Sequence, residues 1–188
     1  VLDVVCVLSE AGKKYDYSHV ERLRRQIKLK QPYRFTCLDD SPYPSWWSKI
    51  SLFEPGRFTG RVLYLDLDVE IVDYLDEIAD YPAPFAAVRD YLNKSLINSS
   101  VMSWNAGEQD HIYTKFKLEF MDKFPGDQEY INSVSIISKF PKKWFPSYRY
   151  DCSQGTPSGA KAVIYHGAIK PWDAMVVSGI GSEKLPTP

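Results

Sequence analysis

Arg61-Val62-Leu63-Tyr64-Leu65-Asp66-Leu67-Asp68 is the stretch on which the reading of this chain turns. Its apolar run has the length and composition of a buried strand, and it ends in two carboxylates spaced i, i+2. On an extended backbone such a pair projects to one side, where it can share a hard divalent cation directly or through water. Asp-x-Asp alone arises easily by chance. Its place at the carboxyl end of a buried strand gives it weight, because two uncompensated carboxylates there repel each other.

Outward from that strand, the chain alternates strand and helix signals. Residues 2–8 read as a buried strand opening into the loop Ser9-Glu10-Ala11-Gly12. Ser18-His19-Val20-Glu21 has the form of a capping box, with Val20, Leu23 and Ile27 at helical spacing behind it. Tyr33 to Leu38 is a second strand, and Trp46, Ile50 and Phe53 fall on one helical face. Strands are expected over 84–88 and 99–104, helices over 109–124 and 127–138, and short strands over 144–150 and 161–165. This order predicts an α/β protein: one domain over 1–188 with a mainly parallel central sheet flanked by helices, 173–188 forming an irregular tail. Ligands of such a sheet sit beyond the carboxyl ends of its strands.

Composition narrows the functional classes. The 188 residues are 44% hydrophobic and 25% charged, with a formal net charge of -1, so no global basic field draws nucleic acid or an anionic membrane. No apolar stretch approaches the roughly 18 residues of a membrane helix. Three cysteines without metal or redox spacing point to a reduced, cytoplasmic setting. The 14% aromatic content is high and suits the walls of flat-ligand sites.

Two further segments carry chemistry. In Val163-Ile164-Tyr165-His166-Gly167-Ala168-Ile169-Lys170-Pro171-Trp172 a histidine follows a short strand and a lysine comes four residues later. Imidazole beside carboxylates favours Mn²⁺ over Mg²⁺, and lysine offers a point charge for phosphate. His19 and His111 read as structural. In Phe124-Pro125-Gly126-Asp127-Gln128-Glu129, Asp127 is sufficiently explained as a helix N-cap with Glu129 complementing the helix dipole.

Taken in order, these segments resemble the GT-A fold glycosyltransferases, especially the glycogenin-like family eight and its small bacterial relatives. Trp46-Trp47-Ser48-Lys49, the strand ending in Asp66 and Asp68, Asn98-Ser99-Ser100-Val101-Met102, Asp127-Gln128-Glu129, and His166-Gly167 with Lys170-Pro171-Trp172 carry the resemblance, which spans Val4 to Trp172. It implies a Rossmann-like GT-A domain that transfers a sugar from a UDP-linked donor to an acceptor hydroxyl with retention. Asp66, Asp68 and His166 would bind Mn²⁺, with Mg²⁺ as the alternative. Lys170 would meet the diphosphate, and Lys49 a phosphate or the donor sugar. Asn98 and Ser99 would wall the sugar, Asp127 and Gln128 would lie beside the anomeric carbon, and Leu8, Ser9 and Tyr15 would meet base and ribose. Ser9-Glu10-Ala11-Gly12 and Asn98-Ser99-Ser100 depart from the family's usual residues, which leaves base and sugar open. The acceptor, whether glycan, lipid or protein, is not named by any segment.

Two other readings stay open. A nucleotidyltransferase would use a similar acidic site but needs a glycine-rich loop after the first strand, where this chain has one glycine. A catalytically silent nucleotide-sugar-binding domain would keep the same residues.

Overall fold

A computed structural model describes residues 1–9 and 13–174. The Glu10-Ala11-Gly12 part of the first loop and residues 175–188 of the expected tail lie outside the described residues.

β1 (Leu2–Val7), β2 (Tyr33–Leu38), β3 (Arg61–Leu65), β5 (Phe85–Arg89), β6 (Ile97–Asn105) and β7 (Ser138–Lys139) form one sheet in the order β2-β1-β3-β6-β5-β7. β1 pairs in parallel with β2 and β3, β5 with β7, and β6 alone runs against its neighbours. The mainly parallel α/β sheet read from the sequence is therefore present. A small antiparallel ribbon joins β4 (Glu70–Ile71) to β8 (Ala162–Val163).

Side-chain alternation explains why β1 from Val4 and β3 from Val62 are continuously apolar. Val4, Cys6, Leu63 and Leu65 enter a core on one face, with α1 (Tyr17–Gln26) contributing its buried Val20 and Leu23 and α2 (Asp76–Ala79) its buried Ile78 and Ala79. Val5, Val7, Val62 and Tyr64 enter a second core on the other face. There they meet a 3₁₀ helix (Ser45–Phe53), α3 (His111–Thr114) and α5 (Asp127–Val134). The two faces, each covered by helices, give a strand no solvent side to spend on polar residues.

Local differences from the sequence expectations have identifiable causes. The capping box of α1 lies two residues earlier: Asp16 Oδ1 accepts from the Ser18 amide at 2.9 Å, and His19 Nδ1 accepts from the Asp16 amide at 3.1 Å. The segment around Trp46 winds as 3₁₀, whose period of three brings Trp47, Ile50 and Phe53 inward and leaves Trp46 52% exposed. The helix expected over 109–124 is two single turns, α3 and α4 (Phe120–Lys123). Phe116, Phe120 and Phe124 nonetheless converge on Tyr130, with ring centroids 5.2, 5.5 and 5.6 Å away, so tertiary packing overrides continuous winding.

The helix expected over 127–138 stops at Val134. Ile136 and Ile137 disfavour helix, and Ser138 pairs with Ala86 at the sheet edge. Instead of a strand over 144–150 there is a 3₁₀ turn (Lys142–Trp144) and α6 (Tyr148–Asp151), separated by Pro146. Only Ser147 bridges, to Ile164. Much of the aromatic content is core rather than ligand wall, as in the Phe53–Trp104 contact at 4.9 Å. Cys6, Cys37 and Cys152 are free thiols. Among the described residues no helix is long and apolar enough to cross a membrane.

The 3₁₀ register makes a direct prediction. Trp47→Ala should cost about 3–5 kcal/mol in urea unfolding, as for other buried Trp truncations, while Trp46→Ala should change stability by less than about 0.5 kcal/mol. The opposite ranking would place Trp46 inside.

Candidate active site

Strand order brings the acidic end of β3 between two other motifs. β1 lies parallel on one side, so Leu8 and Ser9 leave it beside Asp66. β6 lies antiparallel on the other, so its beginning, Asn98-Ser99-Ser100, reaches the same level. The Asp66 amide donates to the Ser100 carbonyl at 2.8 Å, extending the β3–β6 pairing to the first carboxylate. These residues are distant in sequence and meet because of one topological fact, the insertion of β3 between β1 and β6.

Lys49 organises the buried part of the site. Its ammonium lies 2.9 Å from Asp66 Oδ1, donates to Ser99 Oγ at 3.0 Å and sits 3.8 Å from Asp127 Oδ2. Ser99 Oγ in turn donates to Asp127 Oδ2 at 2.6 Å, so Asp127 is not the expected N-cap: Gly126 holds that position and the carboxylate turns to the site. The Tyr64 hydroxyl donates to Asp66 Oδ1. Burial alone would pull the Lys49 pKa down, but Asp127 and Asp66 outweigh it and hold the group above its ordinary value, fully charged. Burial raises Asp66 despite the opposing pull of Lys49, with neighbouring Asp68 adding to the rise. Burial, then Asp66, pushes the Tyr64 phenol well up, so it remains a donor.

Asp68 takes different partners. Tyr15 donates its hydroxyl to Asp68 Oδ2 at 2.9 Å, and Lys170 Nζ donates to the same oxygen at 2.7 Å. Burial first, and Asp68 next, raise the Tyr15 pKa and keep it protonated. The C-terminal side of this arrangement folds across α1: Trp172 packs edge-on against His19 at 4.5 Å and Tyr15 at 5.9 Å, with the Arg22 guanidinium over its ring.

His166 arrives through the β4–β8 ribbon. Glu70, two residues past Asp68, pairs with Val163, three residues before His166, and Ile164 is held by Pro146 and Tyr148 through backbone hydrogen bonds. The ring packs edge-on to Tyr91 at 4.3 Å. Burial lowers the His166 pKa, partly opposed by Asp90 and Asp68, and favours the neutral imidazole. Its Nε2 is buried and lacks a hydrogen-bond partner, an orphaned lone pair or N–H of the kind that a ligand satisfies.

Asp66, Asp68 and Lys49 line one cleft of about 180 Å³ together with Ser9, Tyr15, Trp46 and Ser48. Ser9 Oγ is also buried and without a partner. Leu8 has its side chain in the core and its amide bonded to the Leu38 carbonyl, which leaves only its carbonyl for a ligand. Asn98 Oδ1 accepts from the Ser100 amide at 3.0 Å, shaping the strand entry, and Gln128 Nε2 donates to Glu129 Oε1 at 3.0 Å. Gly126 is closely approached by side chains: a Cβ there would lie 3.2 Å from Glu129 Oε2 and 3.5 Å from Trp46 Nε1.

Carboxylates and a neutral imidazole are donors of the right chemistry for Mn²⁺, and the orphaned His166 Nε2 fits that role. As they stand, no three His, Cys, Asp or Glu among the described residues are gathered into one coordination group. The Lys49 and Lys170 ammonium groups occupy the carboxylates' counter-charge positions instead. His19 and His111 are structural: the first caps α1, and the second bonds through Nε2 to the Val134 carbonyl and Ser135 Oγ.

Sequence reasoning missed Tyr64, Ser48 and Tyr91 as site groups. Tyr64 was within reach, since side chains two apart on a strand share a face and it stands two before Asp66. Tyr91 carries no such signal, being placed by its hydroxyl's 2.8 Å bond to the Phe145 carbonyl.

No family model and no curated protein sequence matches the chain. Solved structures do. The galactosyltransferase LgtC, in complex with donor and acceptor sugar analogs, superposes with TM-score 0.57 at 16% identity over 90% of this chain and 89% of that one. The glycosyltransferase GlyE of Streptococcus pneumoniae TIGR4 gives TM-score 0.67 at 15% identity over 94% of this chain and 58% of that one. A glycosyltransferase involved in glycosylation of the major capsid of PBCV-1 gives TM-score 0.59 at 12% identity, covering 86% and 91%. The chain has the GT-A fold of these glycosyltransferases. At such identities the likeness is one of fold, and what the chain does is argued from its site. The chain spans a little over half the length of GlyE.

The buried ion-pair cluster yields a stability prediction. Lys49→Met leaves Asp66 and Asp127 buried without their cation and should cost about 3–5 kcal/mol in chemical unfolding. Adding Asp127→Asn to that variant should recover about 1 kcal/mol or more, the coupling expected of groups in one network. Independent, additive effects would contradict the cluster.

Proposed function

We propose that the chain is a metal-dependent glycosyltransferase that moves a sugar from a nucleoside diphosphate sugar, UDP-linked, to an acceptor hydroxyl with retention. The observation that carries this is the meeting of Asp66, Asp68, Lys49, Lys170 and Asp127 at the carboxyl end of β3 in a GT-A sheet. The fold's known examples supply the reaction class, and the residues supply its requirements.

Asp66, Asp68 and His166 would hold Mn²⁺, or Mg²⁺. The ion would contribute Lewis-acid stabilisation of charge on the departing diphosphate. Lys170 exchanges its pairing with Asp68 for the diphosphate and adds a fixed positive charge where negative charge develops. Ser9, Tyr15 and the Leu8 carbonyl meet base and ribose in the cleft beside them. Asn98 and Ser99 wall the sugar. Lys49 keeps Asp66 and Asp127 fixed, so that Asp127 and Gln128 present oxygens to the oxocarbenium-like sugar.

In the transfer itself the acceptor oxygen bonds to the anomeric carbon, and the bond from that carbon to the diphosphate oxygen breaks with its electron pair leaving on phosphate. Attack on the leaving-group face, with the hydroxyl proton passing to the departing phosphate oxygen, retains configuration and needs no enzyme nucleophile.

The test is turnover of UDP-sugars, read as released UDP, with Mn²⁺ and after chelation. Asp66→Asn with Asp68→Asn should lower Mn²⁺-dependent turnover on the order of 100-fold or more; Asp68→Asn alone, which leaves the buried Lys49–Asp66–Asp127 cluster intact, should do so with the unfolding midpoint retained. His166→Ala should weaken Mn²⁺ binding about tenfold or more. Unchanged turnover in the double variant would sink the metal assignment. Mn²⁺-dependent UDP-sugar binding with no turnover would mark a silent binding domain, a reading favoured by the way two lysines already neutralise the acidic pair.

A further inference from the structure

A second cavity, of about 420 Å³, opens between the ends of β5 and β7 and helix α6, and none of the residues that line the cleft at Asp66 and Asp68 lines it. Its wall toward the donor site is aromatic. Tyr91 and Tyr150 both line it, and the same two rings flank His166 at 4.3 and 6.2 Å. Tyr91 is held rigid by its bond to the Phe145 carbonyl.

The charges around this cavity are unequally satisfied. Its two acids are committed to backbone amides. Asp90 Oδ1 accepts from Leu92 and Asn93 at 2.9 and 2.6 Å, and Asp151 Oδ2 accepts from Ser147 at 2.8 Å. Its three cations, Arg89, Lys94 and Lys142, have no hydrogen-bond or ion-pair partner for their side chains among the described residues. Of the three only Arg89 is partly buried, and it differs from Lys49, Lys161 and Arg22, partly buried or buried cations that each face a carboxylate; Lys94 and Lys142 are exposed. Three unpaired cations around aromatic walls select an anion attached to a flat, hydroxylated body, since guanidinium and ammonium groups bind carboxylate or phosphate and rings pack against sugar faces.

We propose that this cavity is the acceptor site and that it takes an anionic saccharide, a sugar bearing a carboxylate or a phosphate. That it is the acceptor's site rests on the transferase reading above. The chemistry of its occupant rests on the cavity alone. Arg89, at the end of β5, offers a planar fork suited to bidentate contact, while Lys94 and Lys142 stand at the rim as exposed point charges.

The test is direct binding to the full chain, followed by ligand-observed NMR, of methyl glucuronide, methyl glucoside 6-phosphate and neutral methyl glucoside. At least one anionic probe should bind about tenfold or more tightly than the neutral one and lose that advantage at high salt. The tighter of the two anionic arms names the group. Lys94→Glu with Lys142→Glu, both at exposed positions, should abolish the preference. Equal binding of the neutral probe, binding by neither anion, or a preference that survives the charge reversal would overturn the proposal. UDP binding recorded on the same samples reports separately on the donor site. Its absence would count against the transferase reading and leave the measured anion selectivity of the cavity as it stands.

Discussion

The structure depends on one buried interaction, the Lys49 ammonium held among Asp66, Asp127 and Ser99. Each carboxylate alone would be costly inside a protein, and the lysine alone equally so. Together they tie the 3₁₀ helix to the end of β3, the start of β6 and the first turn of α5. That cross-link runs through the centre of the second core face, beneath the cleft. It joins these four segments into one rigid floor.

Above that floor the arrangement is more adjustable. Asp68 meets Lys170 and Tyr15 through one oxygen, and Trp172 lies against Tyr15 and His19. The segment from His166 to Trp172 thus reaches the site at two points, through the β4–β8 ribbon and through Lys170. A fixed base below and a segment paired by one exchangeable ion contact above is an arrangement that can admit a diphosphate with little change in the sheet.

The parts legible in the sequence were those with a period or a sharp boundary. Arg61 to Leu65 is a strand to the residue, because apolar continuity followed by acid leaves little alternative, and the α/β order followed from its neighbours. Asp66, Asp68, Lys49 and Asp127 were singled out separately, yet nothing in their spacing says that one ammonium links two of the three carboxylates. That pairing follows from β3 lying between β1 and β6, a fact of three-dimensional order. Where the sequence misled, packing had overruled local preference. Trp47 replaced Trp46 inside because the turn closed on three residues rather than 3.6, and the aromatic run from Phe116 to Phe124 met Tyr130 without a continuous helix. The cavity beside Tyr91 left no trace in the sequence, since its walls come from segments about 50 residues apart and its cations have no repeating pattern.

The proposed transfer requires that the carboxyl end of β3 bind a nucleoside diphosphate through a divalent cation. It is tested most directly by thermal unfolding of the protein with UDP-, GDP-, ADP- and CDP-sugars, each with Mn²⁺ and with chelator. A ligand at 100 times its dissociation constant stabilises the folded state by about 2.7 kcal/mol, enough to move the midpoint clearly. The expected result is a rise with UDP-sugars that requires Mn²⁺ and is smaller or absent with the other bases. Midpoints that no nucleotide sugar moves, or that move equally with chelator present, would contradict it.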